Sequence, residues 1–502
     1  MPQQLQNIVI SAPAFKGLNT QDSPLTSDPS FAAVADNCVI DQYGRIGARK
    51  GFDVITTDNT PLGSTEIESM GYFEDNDGNE EIFSAANNKI FSGTTTLTDV
   101  TPASYTITAN NWKMINFNNK MYFFQGGHNP LVYDDTNGLS KIVDHPDNVG
   151  TPPNANEALG AYGRLWTCGC GLNLQVVFWS DLLNGVAWSG GTSGSINVAK
   201  VWPDGYDEVT GLAAHNGFLV IFGRHSIIVY QGAESPATMQ LVDTIGGVGC
   251  IERDSIQNTG DDLIFLSHVG LQSFSRLLQQ KSMPLRDLSK NVRNDFMSLN
   301  STAAKAIFSP ENAFYLITFP EPDITFCFDM RGTLEDGSQR VTRWTATPFN
   351  CFTRKSDGTL LAGNADGVGE YSGYNDNGDT YTLRYFSNPL TFGDSSRLKI
   401  LKKIIPTVIA GSDTLVKIKW GYDFSQSYST DFLQVASIVP AEYGIGEYGL
   451  AEYSATNEEI LKKAINTTGN GTVVTVGVEV DVDGQPFSLQ EFNIQALLGR
   501  MI

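Results

Sequence analysis

HNGFLVIFGRHSIIVYQG (residues 215–232) and DDLIFLSHVGLQSFSR (261–276), joined by a Gly-rich connection containing TIGGVG (244–249), share one grammar. A polar tip precedes an apolar run, a break falls at Gly223 and Arg224 or at His268 to Gly270, and a second alternating run follows. Period-two alternation bounded by turn residues marks strands. Each stretch therefore reads as a β-hairpin, the second one extending to Arg276.

The same pattern returns along the chain: NNKIFSG from Asn87, NNKMYFFQGGHNPLVYD from Asn118, YGRLWTCG from Tyr162, ENAFYLITF from Glu311 and DGTLLAGNADGVGEYSG from Asp357. From Tyr162 onward the starts fall roughly 45 to 55 residues apart, the spacing of propeller blades, each a small sheet that needs neighbours to bury both faces. With 49 Gly, 11% aromatics and frequent Asn and Asp, the composition also favours many short strands and tight turns. The expected fold class is all-β: a β-propeller with an additional β-rich platform domain and a few short helices.

The chain of 502 residues carries 33 basic and 55 acidic residues, a formal charge of −22. Such a balance argues against holding duplex DNA by phosphate neutralisation, although an acidic wall suits a conduit along which DNA slides without sticking. No basic segment followed by an apolar run opens the sequence, and no run approaches the roughly 20 apolar residues that span a bilayer. A soluble product, not exported by a cleaved signal, is expected. The cysteines Cys38, Cys168, Cys170, Cys250, Cys327 and Cys351 lack zinc-ribbon spacing and read as free thiols of a reducing compartment. Cys168 and Cys170 are expected to be buried on one face of a strand.

Motifs for chemistry are sparse. His128, His145, His215, His225 and His268 are scattered singly, and GGTSGS (190–195) lacks the strand-to-helix context of a nucleophile elbow. No P-loop occurs. The tips DNDGNEE (75–81) and NDNGD (375–379) lack the full calcium-loop pattern and read as solvated turns. KSDGTLLAG (355–363) has a faint likeness to a sialidase Asp-box but lacks its aromatic. No catalytic residue, metal or cofactor is expected, and no enzymatic activity. Paired acids of a glycosidase leave no local motif, so a carbohydrate-binding or glycoside-hydrolysing propeller stands as the alternative, with Trp166, Trp179 and Trp188 to stack on sugar rings.

Three segments are expected: an N-terminal arm with platform strands (1–66), propeller blades (67–373) and a C-terminal β-rich platform (374–502). The arm has prolines at 13, 24 and 29 and reads as an extended strap lying along another surface. It tightens at DNCVIDQYGRIGARKGF (36–52), where Gly44 and Gly47 suit positive φ beside the cations Arg45, Arg49 and Lys50. Residues 145–161 read as a connection between blades or domains. LRDLSKNVRNDFMSL (285–299) places Leu285, Leu288, Val292 and Phe296 on one helical face, with Arg286, Lys290, Arg293, Asp287 and Asp295 on a solvated one. Lys399, Lys402, Lys403, Lys417 and Lys419 make the region after 380 the most basic, its lysines expected at an edge or facing solvent. AEYGIGEYGLAEYSA (441–455) repeats Glu-Tyr, and Tyr443, Tyr448 and Tyr453 suit a contact loop. TNEEILKKAI (456–465) has a capping-box spacing at Thr456 and Glu459 and predicts a short helix. GTVVTVGVEVDV and FSLQEFNIQA are expected to pair as a hairpin across DGQP.

FKGLNTQDSP (15–24), ending in NCVIDQYGRIGARKGF (37–52), resembles the start of the tail hub or nozzle proteins of short-tailed bacteriophages, also called tail tubular protein B or DNA-stabilisation proteins. VEVDVDGQPFSLQEFNIQALLGRMI (478–502) is similar to their closing strands. The resemblance implies a structural virion protein in the tail: a homohexameric ring that docks on an adaptor ring, touches fibres or spikes, retains genomic DNA and passes it at ejection without reading its sequence. Gly44, Arg45, Gly47, Arg49 and Lys50, with Tyr443, Tyr448 and Tyr453, are the candidate assembly residues.

Overall fold

The computed structural model describes residues 4–280, 287–345, 347, 349–411, 413–425, 427–435 and 458–501. The chain forms two compact units, one of Met1–Asp53, Phe326–Thr345 and Tyr371–Ile502, the other of Val54–Thr325 and Ala346–Glu370. The boundaries at 53 and 370 differ from the 66 and 373 expected, and Phe326–Thr345 leaves the blade segment for the first unit.

The second unit is a β-propeller. Six small antiparallel sheets form its blades, and in the first four each is a run of four consecutive strands. They span Ser69–Glu74 to Thr98–Asp99, Lys113–Phe117 to Gly138–Lys141, Glu157–Ala161 to Gly194–Asn197 and Val209–His215 to Gln240–Gly246. The fifth has three strands, from Gln257–Asn258 to Gly270–Ser273, and the sixth begins with Cys351–Arg354 and Leu360–Asn364. A hairpin of Lys305–Ser309 and Phe314–Phe319 stands between the fifth and sixth. The chain entering the unit closes the circle: Ile55 N–H donates to Val368 O at 2.9 Å, which pairs the start of the propeller segment with its last blade. Closure of this kind removes the exposed edge that an open array would leave.

Four of the polar tips seen in the sequence are two-residue turns. Asn87-Asn88, Asn118-Asn119, Tyr162-Gly163 and Asn216-Gly217 each have positive φ at both positions, the type I′ geometry whose twist matches that of the flanking strands. Asn and Gly tolerate that region, which explains their recurrence. Between blades the apolar faces interlock. Trp166, Val177 and Trp179 of the third blade pack with Leu212, Leu219, Ile221 and Ile228 of the fourth, whose other face (Val220, Phe222, Val229) meets Leu263 and Phe265 of the fifth.

The first unit holds two sheets. In one, Phe487–Met501 runs between Arg397–Gly411 on one side and Gln4–Ser11 and Ile46–Ala48 on the other. In the second, Gln339–Thr345, Gly17–Leu18, Phe31–Asp36, Tyr381–Ser387, Val474–Val482, Leu415–Tyr422 and Ser429–Gln434 follow in order. The strap expected along another surface is therefore built into this unit: Phe15 is fully buried, its ring edge-on to Tyr385 at 5.6 Å.

Several local expectations are corrected. The second hairpin ends at Ser273, and Phe274–Gln280 is a helix. Ser273 Oγ accepts the Arg276 N–H at 3.2 Å and Asp262 Oδ1 the Ser275 N–H at 2.8 Å, so side chains satisfy the helix start. The helix expected over 285–299 shrinks to a 3-10 turn, Lys290–Val292, and Arg293–Met297, with Leu288, Val292 and Phe296 buried as expected. Asp287 is buried and takes the Arg293 guanidinium, so that face is not simply solvated; Leu285 and Arg286 lie outside the described residues. Glu458–Lys462 is a strand on Arg397–Gly411, with Ile460 opposite Ile409, because pairing along a long edge outweighs a weak helix preference. Val474–Val482 and Phe487–Met501 do not pair; they enter different sheets, because each is already flanked on both sides by other strands, Tyr381–Ser387 and Leu415–Tyr422 for the first, Arg397–Gly411 and Gln4–Ser11 for the second. Cys168 and Cys170 are both buried, yet they pack into different clusters because Gly169, at φ +72, turns the chain between them. Lys417 and Lys419 sit on an interior strand and pair with Asp481 at 2.7 Å and Glu479 at 2.6 Å, while Lys399 is buried with its Nζ on Thr472 O at 2.6 Å.

Candidate functional site

Charged residues gather at the axis of the propeller because several innermost strands begin with one. Lys113, Glu157 and Lys305 are the first residues of their strands, and Arg253 and Asp254 lie in the 3-10 turn before the fifth blade. Strands arranged radially bring these starts together at one end. Lys305 Nζ lies 2.5 Å from Asp254 Oδ2 and also donates to Asn111 Oδ1. Lys113 Nζ lies 3.4 Å from Asp254 Oδ1 and 3.4 Å from Glu157 Oε1. Arg253 donates to Asn156 Oδ1 at 3.1 Å and to Asn111 O at 2.7 Å. The second, third and fifth blades and the hairpin are thus tied across the axis.

Electrostatics within this cluster are uneven. Burial pushes the Glu157 carboxyl up to about 7, although Lys113 and Arg253 pull the other way. Its Oε2 has no hydrogen-bond partner among the described residues, so the support of its anion falls to Lys113 and Arg253 and does not offset burial. Burial likewise pushes Glu252 up to about 7, with Asp254 adding repulsion. Burial would raise Asp254 too, but Lys305, Arg253 and Lys113 outweigh it and hold this carboxyl far below the ordinary range. The network can therefore exchange a proton near neutrality while Asp254 keeps its charge.

Two cavities open onto the cluster. One, of about 480 Å³, is lined by Asn156, Glu157, Glu208, Glu252 and Arg253; the other, of about 400 Å³, by Glu66, Glu68, Asn111, Lys305 and Glu321. Thr302 belongs to both walls. The entrance is rich in carboxylates, and the unit as a whole has 32 Asp and Glu against 16 Lys and Arg, a net charge of −16. Polyanions are disfavoured there.

The candidate assembly residues fall in the first unit and are divided by burial. Gly44 has φ +73 in the turn before Ile46–Ala48, whereas Gly47 lies within that strand and does not adopt positive φ. Arg45 is half-buried over the Tyr43 ring at 4.3 Å, and Lys50 is exposed. Arg49 is fully buried: it makes a bidentate pair with Asp376 at 2.8 and 2.6 Å and lies over the Tyr381 ring at 4.0 Å. Arg49 and Gly47 thus serve the interior of their own chain, and only Arg45 and Lys50 of the five present a cation outward. Asp376, read from the sequence as part of a solvated tip, is the counterion of Arg49. Tyr443, Tyr448 and Tyr453 lie outside the described residues. Of the tryptophans weighed for sugar stacking, Trp166 and Trp179 are buried between blades and Trp188 is half-buried.

Sequence reading missed the axial cluster, whose members come from four separated stretches. The one available signal was a charged residue or Asn just before each innermost apolar run. Among the described residues no group of His, Cys, Asp and Glu could hold a metal ion, and no helix is long and apolar enough to cross a membrane.

No family model and no curated protein matches the chain. Among solved structures it is similar to the WD40 β-propeller domain of Doa1, at 9% identity and TM-score 0.37, over 64% of this chain and 96% of that one. The Neurospora crassa Pan2 WD40 domain gives 8% and 0.38, over 67% and 96%. PorZ, a surface component of the type-IX secretion system of Porphyromonas gingivalis, gives 12% and 0.36, over 66% and 42%. The chain spans about two fifths to one half of the length of the bacterial surface and extracellular proteins named among its matches. At such identities and scores, the propeller rests on the sheet topology itself.

Proposed function

We propose that the chain is a structural virion protein, a tail hub or nozzle subunit of a short-tailed phage that assembles as a ring, most simply a hexamer, around the path of the genome. One observation carries the reading. Two of the stretches that bear the resemblance, 37–52 and 478–502, are neighbours in one sheet, where Ile46 lies opposite Leu489 and Gly47 opposite Ser488, and Gln4–Ser11, just ahead of the arm, pairs over eight residues with the same Phe487–Met501. A platform made from both ends is the part of such a subunit that would meet its copies, an adaptor ring and fibres or spikes, with Arg45 and Lys50 on its surface. The axis of the propeller is bridged by Lys113, Asp254 and Lys305, so the conduit in this reading runs between subunits rather than through a propeller. The acidic balance of the propeller unit suits a wall that DNA passes without sticking.

Electron microscopy of the purified full chain and of intact particles tests this. Rings with a central opening, and the chain in the tail of particles, are expected. A monomer at all concentrations together with absence from particles overturns it.

A further inference from the structure

The propeller unit carries a second kind of cavity, set apart from the axial one by its chemistry. Its volume is about 530 Å³, within the range of small-molecule sites. Trp188 and Phe178 supply aromatic surface, and Asn129, Asn154 and Asn173 supply carboxamides. No Asp, Glu, Lys or Arg lines it, in a unit with a net charge of −16.

The aromatic wall is fixed in advance. Trp188 Nε1–H donates to Gly185 O at 3.0 Å, and its ring meets the Phe124 ring edge-on at 6.3 Å. The indole is only half-buried and keeps surface for a ligand. Asn129, Asn154 and Asn173 are exposed, and their carboxamides make no hydrogen bond to another described residue. Each amide offers both donors and an acceptor, the complement of a pair of neighbouring hydroxyls. An indole face accepts the C–H side of a sugar ring, while an ionic ligand would find no counter-charge. A nucleic acid strand could stack on Trp188, but its phosphates would meet no cation and a repelling field.

From this we infer that the cavity bounded by Trp188, Phe178, Asn129, Asn154 and Asn173 is a binding site for an uncharged oligosaccharide. The site does not depend on the ring reading, since a single subunit contains all of it.

The test is binding of the full chain to an array of neutral oligosaccharides printed beside sialylated and sulfated ones, followed by titration of the best neutral glycan with tryptophan fluorescence as readout. Binding to neutral glycans is expected, weakened at least tenfold in Trp188→Ala and also weakened in Asn154→Ala, whose exposed position leaves thermal unfolding unchanged. Retention of charged glycans alone, absence of any neutral ligand, or unaltered affinity in both variants overturns the inference.

Discussion

Arg49 and Asp376 lie 327 residues apart in sequence and form a two-point ion pair in which the guanidinium is fully buried and the carboxylate largely so. Tyr381 covers the guanidinium, and Asn37 Oδ1 accepts its Nε–H at 3.4 Å. Removing one partner of such a pair strands the other charge away from water. Asp376→Ala is expected to cost toward the lower end of roughly 3–5 kcal/mol, since its carboxylate keeps some solvent. Lys50→Ala, at an exposed neighbour, should stay within about 0.5 kcal/mol. Urea unfolding of both variants checks the contrast; equal midpoints would refute it.

The axial carboxyl sets a pH dependence. Folding raises Glu157 from its ordinary 4.5 to about 7, so the native state binds a proton more tightly than the unfolded chain. Its contribution to stability is complete below the unfolded value and is lost as pH rises through about 7. Glu157→Gln mimics the neutral form and should stabilise the propeller by roughly 2–4 kcal/mol at about pH 8.5, and by little at about pH 4.5. Urea titrations at the two values decide it, and a gain independent of pH would count against burial as the cause.

Gly44 and Gly47 differ in what a methyl group would meet. At Gly44, with φ +73, a Cβ would sit 2.6 Å from Pro13 Cα, whereas at Gly47 the nearest atom is Ser488 Oγ at 3.4 Å. Gly44→Ala should therefore destabilise the first unit by about 1–3 kcal/mol and Gly47→Ala by less. Thermal unfolding ranks them; the reverse order would show that the Pro13 contact yields easily.

All six cysteines are buried, and burial pushes the Cys168 thiol well up and those of Cys170, Cys250 and Cys351 up to about 12. Thiolates are the reactive form, so the five thiols other than Cys170, which borders the cavity beside Trp188, should react with a thiol reagent only as fast as the native protein opens. In denaturant all six should titrate. Rapid native labelling of any of those five would contradict its placement.

What the sequence revealed follows from how local each signal is. The turns at Asn118-Asn119 and Asn216-Gly217 were legible because two adjacent residues with positive φ determine them and the flanking alternation gives the strands. The strand at Glu458–Lys462 was not, since Arg397–Gly411 decides its state and lies about 50 residues away. DGQP between Val474–Val482 and Phe487–Met501 has the chemistry of a hairpin turn, but it links strands of different sheets, and partner choice is written nowhere in the turn. Arg49 was legible as a cation and illegible as a buried one, because Asp376 joins it from a distant tip. The axial cluster was illegible for the same reason, each member meaning little until Lys113, Asp254 and Lys305 converge.

The interleaving of the two units has a consequence for synthesis. Residues 54–325 form one uninterrupted run holding five of the six blades, so most of the propeller can fold while the ribosome is still translating. Gln4–Ser11 must wait for Phe487–Met501, the strand it pairs with. A chain cut short before that strand would carry two unsatisfied edges, Gln4–Ser11 and Arg397–Gly411, and present itself to proteases and chaperones as unfinished. Translation of the far segment is thus the step that completes this sheet.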